Sequence, residues 1–342
     1  MKVKTAQGIR DYRTVWMEES VVAMIDQTKL PHSFEICRSP GYRETTAAIR
    51  DMVIRGAPAI GAAAGYAIAQ AAKEYAKQDL KGFSKHMAEA EKTVKSARPT
   101  AYDLFDAVDC VMKRVEGIGS VDEARRIAAE ASSSYADRSM ENCRLIGVNG
   151  EKLLKNGCRV LTHCNAGALA CVDYGTALAP IRFAHYGKKE VSVYVDETRP
   201  RLQGSKLTAW ELLQEGINFS IIVDNAAGYF MRKREVDLVI VGADRITRNG
   251  DVLNKVGTYE KAVVAKENGI PFYVAVPETT LDREVVKGDD VFIEERSGDE
   301  VLCIDGVRVA PSGSATRNPS FDVTPKEYVS GYITEKGIKK KF

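Results

Sequence analysis

Apolar and polar positions along the chain follow two different rhythms. From Tyr42 to about Asn156, apolar residues recur at three- and four-residue spacing over 43–54, 57–77, 82–96, 101–115 and 121–148. That spacing predicts amphipathic helices. The last segment opens on Ser120-Val-Asp-Glu123, a capping-box pattern with acids placed to complement the helix dipole. Segment 57–77 is rich in Ala and Gly, so close helix approach is expected there. After Gly157 the rhythm changes. Short apolar runs (Arg159-Val-Leu-Thr, Val191-Ser-Val-Tyr-Val, Phe219-Ser-Ile-Ile-Val, Leu238-Val-Ile-Val, Phe272-Tyr-Val-Ala-Val) alternate with candidate helices at 168–184, 206–216, 225–234 and 258–268. Such alternation is the signature of a parallel sheet with crossover helices. A second capping-box pattern, Thr208-Ala-Trp-Glu211, lies in the second of these helices.

Residues 1 to about 40 read as a small β-rich segment, with VVAMIDQTKLPHSFEIC as strand, turn and strand, and Pro31 in the turn. The fold class is α/β. A first domain, 1–156, joins the β-rich segment to the helices, and a Rossmann-like parallel-sheet domain, 157–342, follows.

Each apolar run of the second domain ends in polar residues: His163-Cys164-Asn165, Asp196-Glu197-Thr198-Arg199, Asp224-Asn225, Asp244-Arg245 and Pro277-Glu278. In open α/β sheets ligands sit outside the carboxyl ends of the strands, so these groups are expected to line a crevice. Asp244 follows its run directly and is either a catalytic group or the cap of a following helix. Ten residues on, Asn254 and Lys255 lie in a Gly-rich loop expected to fold back over the same edge. Cys164 precedes an expected helix start at Asn165-Ala-Gly167, where backbone N–H groups would favour a thiolate. The alternative is a buried, inert thiol, which is the reading for Cys37, Cys110, Cys143, Cys158, Cys171 and Cys303.

Composition narrows the function. The chain has 342 residues with a net charge of +2, and four lysines (Lys336, Lys339, Lys340, Lys341) gather at its end. No basic stripe with interleaved aromatics suggests nucleic acid. The apolar stretch Ala57 to Ala69 contains Pro58 and is too short to span a bilayer. The first residues lack the apolar core of a signal peptide. Seven cysteines without a C-x-x-C pair fit reduced thiols, so a cytoplasmic protein is expected. Arg55-Gly56-Ala57-Pro58 reads as a turn into a helix, with Gly56 able to approach a ligand and Arg55 suited to a phosphate. Arg98, before Pro99-Thr100 at another helix start, is a second anion contact or a solvated arginine. No Walker lysine, no G-x-G-x-x-G after a strand and no G-x-S-x-G elbow is present. The four histidines share no metal-ligand spacing.

The stretches DQTKLPHSFE, IRDMVIRGAPAIGAA, ARPTAYDL, LTHCNAGALA, VYVDETRPRLQGSKLTAWEL, VGADRITRNGDVLNKVGTY and NPSFDVTP, in this order, resemble the methylthioribose-1-phosphate isomerase family of methionine salvage. The sequence departs from the family pattern at Cys171-Val-Asp173, at Ala226 where a methionine is usual, and in SGSATR before the last motif. The resemblance implies an aldose–ketose isomerase acting on a sugar phosphate, without cofactor or metal and working as a homodimer. It carries Cys164 and Asp244 over as the catalytic pair, and Arg55, Gly56, Ala57, Arg98, Gln203, Asn254 and Lys255 as substrate-binding residues. The same superfamily includes an archaeal ribose-1,5-bisphosphate isomerase and regulatory subunits of the exchange factor for translation initiation factor 2. A related pentose 1-phosphate as substrate, or a non-catalytic sensor of sugar phosphate or nucleotide, are the alternatives.

Overall fold

The computed structural model describes residues 1–98 and 102–342. The chain divides into two compact units, Met1–Arg144 with Gly167–Gly175, and Leu145–Ala166 with Thr176–Phe342. The boundary therefore falls before Asn156, and a short segment just after Cys164 counts with the first unit.

In the first unit, β1 (Lys2–Thr5) and β2 (Gly8–Asp11) form a hairpin, and β3 (Val15–Glu18), β4 (Val21–Ile25) and β5 (Ile36–Ser39) an antiparallel sheet. Helices α1 (Tyr42–Arg50), α2 (Ala57–Glu74), α3 (Leu80–Lys95), α4 (Tyr102–Val115) and α5 (Val121–Gly150) follow, close to the expected spans, the end of α5 from Leu145 counting with the second unit. The start of α4 was expected at residue 101, which lies outside the described residues. Helix α2 is buried along its whole middle, Ala59 to Ala72. Its small residues permit this: a Cβ on Gly61 would lie 2.9 Å from the Asp103 carbonyl oxygen of α4. At the start of α5, Glu123 N–H reaches Ser120 Oγ only at 3.5 Å, and the Glu123 carboxylate turns to Arg126. The capping box is at best half formed.

The second unit is built on β6 (Cys158–Thr162), β7 (Val191–Asp196), β8 (Asn218–Ile222), β9 (Leu238–Val241), β12 (Phe272–Ala275), β16 (Gly331–Thr334) and β17 (Gly337–Lys339). Among the described residues they make one seven-stranded sheet in the order β17-β16-β12-β9-β6-β7-β8. All pairings are parallel except β16 with β17. Strands β16 and β17 were not expected from sequence. Alternate residues explain why the runs are apolar throughout. Cys158, Val160, Leu238 and Ile240 pack on one face with α6 (Leu178–Tyr186) and α7 (Ala209–Glu215). Leu161, Val239 and Val241 pack on the other with α8 (Ala227–Arg232) and α9 (Thr258–Glu267). A strand buried on both faces has no position for polar residues until it ends.

Numbered among themselves, the parallel strands run 3-2-1-4-5-6, the doubly wound order. The chain leaves β6 toward β7 and β8, then returns to the other side of β6 as β9. The crevice of such a sheet lies at that reversal, outside the ends of β6 and β9. Beyond β9 the chain forms β10 (Arg245–Ile246) and β11 (Val252–Lys255). These pair with β15 (Phe321–Thr324) in a small antiparallel sheet. A further hairpin, β13 (Cys303–Ile304) with β14 (Val307–Arg308), follows the short helix α10 (Asp299–Leu302).

Candidate functional site

Cys164 lies two residues beyond β6 in a left-handed backbone conformation, φ 63°. Non-glycine residues avoid that region unless their surroundings hold them there. Its surroundings do. The Cys164 N–H donates to Thr198 Oγ1 at 2.8 Å, and Thr208 Oγ1 donates to the Cys164 carbonyl at 2.7 Å. Asn165 Nδ2 reaches Glu211 Oε1 at 2.9 Å, and Glu211 is held in turn by Arg182 at 2.6 Å. Glu211 and Arg182 are buried.

These contacts correct three expectations. No helix starts at Asn165: a 3-10 turn, Ala168–Ala170, follows, and α6 begins only at Leu178. The Cys164 turn therefore draws nothing from a helix dipole, and its own N–H is spent on Thr198. Nor do Thr208 and Glu211 form a capping box. A π-helical turn, Gly204–Thr208, runs straight into α7, and both side chains support the Cys164 turn instead.

Asp244 lies beyond β9 and is followed by strand β10, so no helix begins there for it to cap. Its N–H donates to the Leu253 carbonyl at 2.9 Å, fixing it against β11. The ends of β6 and β9 meet closely. A Cβ added to Gly242 would lie 2.7 Å from the Ala166 Cβ, so a side chain there would force the two turns apart. Asn254 and Lys255 stand on β11 rather than in a loop, and both are buried. Asn254 Nδ2 donates to Thr258 Oγ1 at 3.0 Å, and Lys255 Nζ donates to the Ser320 carbonyl and lies 5.0 Å from the Phe321 ring centre. Burial pushes the Lys255 ammonium below the ordinary lysine range, while negative charge on Cys164 and on Asp244 favours it. The coupling is mutual: the ammonium favours a thiolate and a carboxylate in return. A thiol, a carboxyl and a buried ammonium thus share one electrostatic neighbourhood at the switch point.

The motif NPSFDVTP has a structural account here. Ser320 accepts from Lys255, Phe321 stacks beneath it, and Asp322 accepts from the N–H groups of Gly257 (2.6 Å) and Tyr259 (3.2 Å) at the start of α9. Arg296, Glu300 and Arg201 form an ion cluster whose first two members also act on Lys255.

The polar strand ends converge in part. The β7 and β8 ends join the β6 end through His163 Nδ1 and Asp196 Oδ2 at 2.9 Å, and through Asp224, which accepts from the N–H groups of Thr198 and Arg199 at 2.7 Å each. Glu278 at the β12 end does not join them. It pairs with Lys336 and Lys339, which hold its carboxyl below the usual range. His163, Asp196 and Asp224 offer ligand atoms within 4.8 Å of one another, a spacing that could hold a cation. Most of their atoms are otherwise engaged, Asp196 Oδ1 being the buried exception. Both histidine nitrogens have partners, each Asp224 oxygen accepts from a backbone N–H group, and the Lys261 ammonium stands 3.6 Å from Asp196. The cluster is better described as an internal ion network than as a metal centre.

Of the other expected residues, Gln203 precedes the π-helical turn, and its buried Oε1 accepts no hydrogen bond from the described residues. Arg55, Gly56, Ala57 and Arg98 belong to the first unit and are half-buried. Pro99 and Thr100, read with Arg98 as a helix start, lie outside the described residues. Gly56 has φ 96°, and a Cβ there would lie 2.4 Å from Ala170 Cα, so the backbone it approaches is the chain's own. His163 and Thr198 were expected only as polar strand ends, and Thr208, Glu211 and Lys261 were missed as site-building residues. No sequence signal tied the last three to the strand ends, because they reach the site from the turn before α7, from α7 and from α9.

Residues 53–341 match the model of the initiation factor 2 subunit family. The chain is 47% identical over 335 residues to a methylthioribose-1-phosphate isomerase of Thermoanaerobacter sp. (strain X514), covering 97% of each chain. It is 49% identical to methylthioribose-1-phosphate isomerase 1 of Pseudothermotoga lettingae, covering 94% of this chain and 93% of that one. The crystal structure of 5-methylthioribose 1-phosphate isomerase from Pyrococcus horikoshii OT3 matches with a TM-score of 0.90 and 41% identity, over 96% of this chain and 92% of that one. That of the translation initiation factor eIF-2B, subunit delta, from A. fulgidus matches with a TM-score of 0.87 and 42% identity over 96% of both. Sequence and fold agree that the chain belongs to the initiation factor 2 subunit family and, within it, to the methylthioribose-1-phosphate isomerases.

Proposed function

We propose that this chain converts 5-methylthioribose 1-phosphate into 5-methylthioribulose 1-phosphate, an aldose–ketose isomerisation in methionine salvage. The observation that carries the reading is 47% identity to an isomerase across 97% of both chains. The site supports it with a thiol, a carboxyl and a buried ammonium coupled at the switch point.

The chemistry sets the roles. Phosphate on the anomeric oxygen prevents the ring from opening as a free hemiacetal does. The bond between carbon 1 and the ring oxygen must break, and the ring oxygen must gain a proton. Hydrogen moves from carbon 2 to carbon 1, and the carbon 2 hydroxyl gives up its proton to become the ketone. One group that takes the hydroxyl proton and supplies the ring-oxygen proton balances the reaction. Asp244 is assigned that general acid–base work. Cys164 is assigned to the hydrogen transfer between carbons 2 and 1. The buried Lys255 ammonium stabilises negative charge that develops beside both. Asn254 and Gln203 are assigned to substrate hydroxyls. Arg55, Gly56, Ala57 and Arg98 are assigned to holding the substrate by the family resemblance alone.

The chain is further proposed to act as a homodimer in the cytoplasm. Seven free thiols fit a reducing compartment. Among the described residues no helix is long and apolar enough to cross a membrane.

The likeness to an eIF-2B subunit favours a second reading, a regulatory protein that binds a sugar phosphate or nucleotide without turning it over. Assaying the purified chain with methylthioribose 1-phosphate and with ribose 1,5-bisphosphate separates the readings. Turnover of the first supports the proposal. Turnover of the second alone moves the substrate to a related pentose, and turnover of neither leaves the regulatory reading.

A further inference from the structure

His163 precedes Cys164 and is almost fully buried, at 1% exposure. It is engaged on both sides. Nδ1 lies 2.9 Å from Asp196 Oδ2, and Nε2 lies 2.9 Å from the carbonyl oxygen of Val256, the residue after Lys255. The ring also lies flush against the next residue: a Cβ on Gly257 would stand 3.1 Å from His163 Cε1. One imidazole therefore spans the gap between the turn that carries Cys164 and the turn that follows Lys255.

The two bonds differ in kind. A carbonyl oxygen only accepts, so Nε2 must carry a hydrogen toward Val256. That holds wherever the proton between Nδ1 and Asp196 resides. The other side is an ion network: Asp196 is fully buried, the Lys261 ammonium lies 3.6 Å from it, and Glu260 lies 3.6 Å from Lys261. Asp224 and Asp322 are the further charged groups acting on this network. Asp196 thus orients the ring, and the ring holds Val256.

We infer that His163 is a positioning residue that ties the Lys255 turn to the Cys164 turn through the Val256 carbonyl. This rests on the reading of Cys164 and Lys255 as working groups. Their coupling falls with separation, and misplacement of a reacting group by about 1 Å costs on the order of 10²-fold in rate. His163 touches no reacting atom in this account and acts only through the two turns.

Two amide substitutions separate the bonds. In His163→Asn the amide occupies the place of Nδ1, so the contact with Asp196 is kept and the tether to Val256 is cut. In His163→Gln the amide reaches the place of Nε2, so the tether is kept and the Asp196 contact is lost. The readouts are kcat, KM and the rate of Cys164 alkylation by iodoacetamide at one neutral pH, on protein shown to be folded by its melting transition. The inference expects kcat and alkylation in His163→Asn to fall about ten-fold or more below those of His163→Gln, with the loss in kcat rather than KM. A role confined to satisfying buried Asp196 gives the opposite rank. Equal values in the two variants, or a lower value for His163→Gln, overturn the inference. If His163→Asn is not recovered folded, His163→Ala replaces it, and wild-type kcat and alkylation in that variant overturn the inference. Failure of the underlying reading shows separately, as wild-type protein that iodoacetamide does not inactivate through Cys164.

Discussion

Cys164 and Thr198 each lie two residues beyond neighbouring strands, both with positive φ (63° and 64°), and the Cys164 N–H donates to Thr198 Oγ1 at 2.8 Å. Thr198 Oγ1 donates in turn to the Asp196 carbonyl at 2.9 Å, so one hydroxyl pins two uncommon backbone conformations together. Thr198→Val keeps the shape and removes the hydroxyl. An orphaned donor of this kind costs roughly 1–3 kcal/mol, so the melting temperature should fall. Turnover should fall with it, because the thiol is no longer held. Melting and kcat on the one variant check this, and no change in either removes Thr198 from the support of the site.

Iodoacetamide should inactivate the protein through Cys164, and bound methylthioribose 1-phosphate should protect it. Cys143, Cys158 and Cys171 are buried, and burial also pushes the Cys37 and Cys158 thiols up, so they should react slowly. Mass-spectrometric mapping identifies the labelled residue. Inactivation traced to Cys110 or Cys303 contradicts the assignment.

Lys255→Met keeps the length of the side chain and removes the charge. Without the ammonium, Cys164 alkylation at neutral pH should slow and turnover should fall by about ten-fold or more. Stability should move the other way. Burial depresses the folded-state lysine below 10.5, so the unfolded chain binds the proton more readily. The charged lysine therefore opposes folding below its folded value, and that penalty is relieved as the pH rises toward 10.5. The variant should melt at or above wild type at neutral pH, with the gap closing in alkali. Melting curves across that range give the answer.

Glu300 works with the opposite sign. Arg296 and Arg201 hold its carboxyl at about 2, against an ordinary 4.5. A depressed carboxylate stabilises the fold above its unfolded value, and this stability is lost as the pH falls through its folded value. Glu300→Gln should therefore melt below wild type at neutral pH, with the difference fading between about 4.5 and 2. A difference that does not change with pH would mean that the ion cluster contributes nothing to stability.

Much of the fold was legible because its signals are local. Val239 and Ile240 face opposite sides of the sheet, yet both had to be apolar, and that run marks a doubly covered strand. The positions of Cys164 and Asp244 followed from the strand ends alone. What could not be read depends on pairing across the chain. Thr208 and Glu211 match a capping box in sequence, but the turn that fills Gly204–Thr208 moves the helix start upstream and turns both side chains toward Cys164 and Asn165. Strand β11 was read as a loop because its nearby partner β10 is only two residues long and its longer pairing, with β15, lies some seventy residues away in the chain. The expected helix from Ala168 failed because Gly167–Gly175 packs with the first unit, where Thr14 donates to the Ala168 carbonyl at 2.6 Å and Gln27 to that of Leu169 at 2.7 Å. Propensity had no access to those partners.

The central claim is that the carboxyl after β9 exchanges protons with a sugar phosphate. The most direct test is the turnover of methylthioribose 1-phosphate by wild-type protein and by Asp244→Asn. Asn is nearly isosteric and still accepts hydrogen bonds, but it cannot exchange a proton. With β10 rather than a helix after Asp244, no capping role remains to blur the result. Wild-type protein should form the ketose. The variant should keep its melting temperature and its affinity for substrate while kcat falls by at least ~10²-fold. A wild-type protein that forms no ketose, or an Asp244→Asn variant that turns over at near the wild-type rate, would contradict the account.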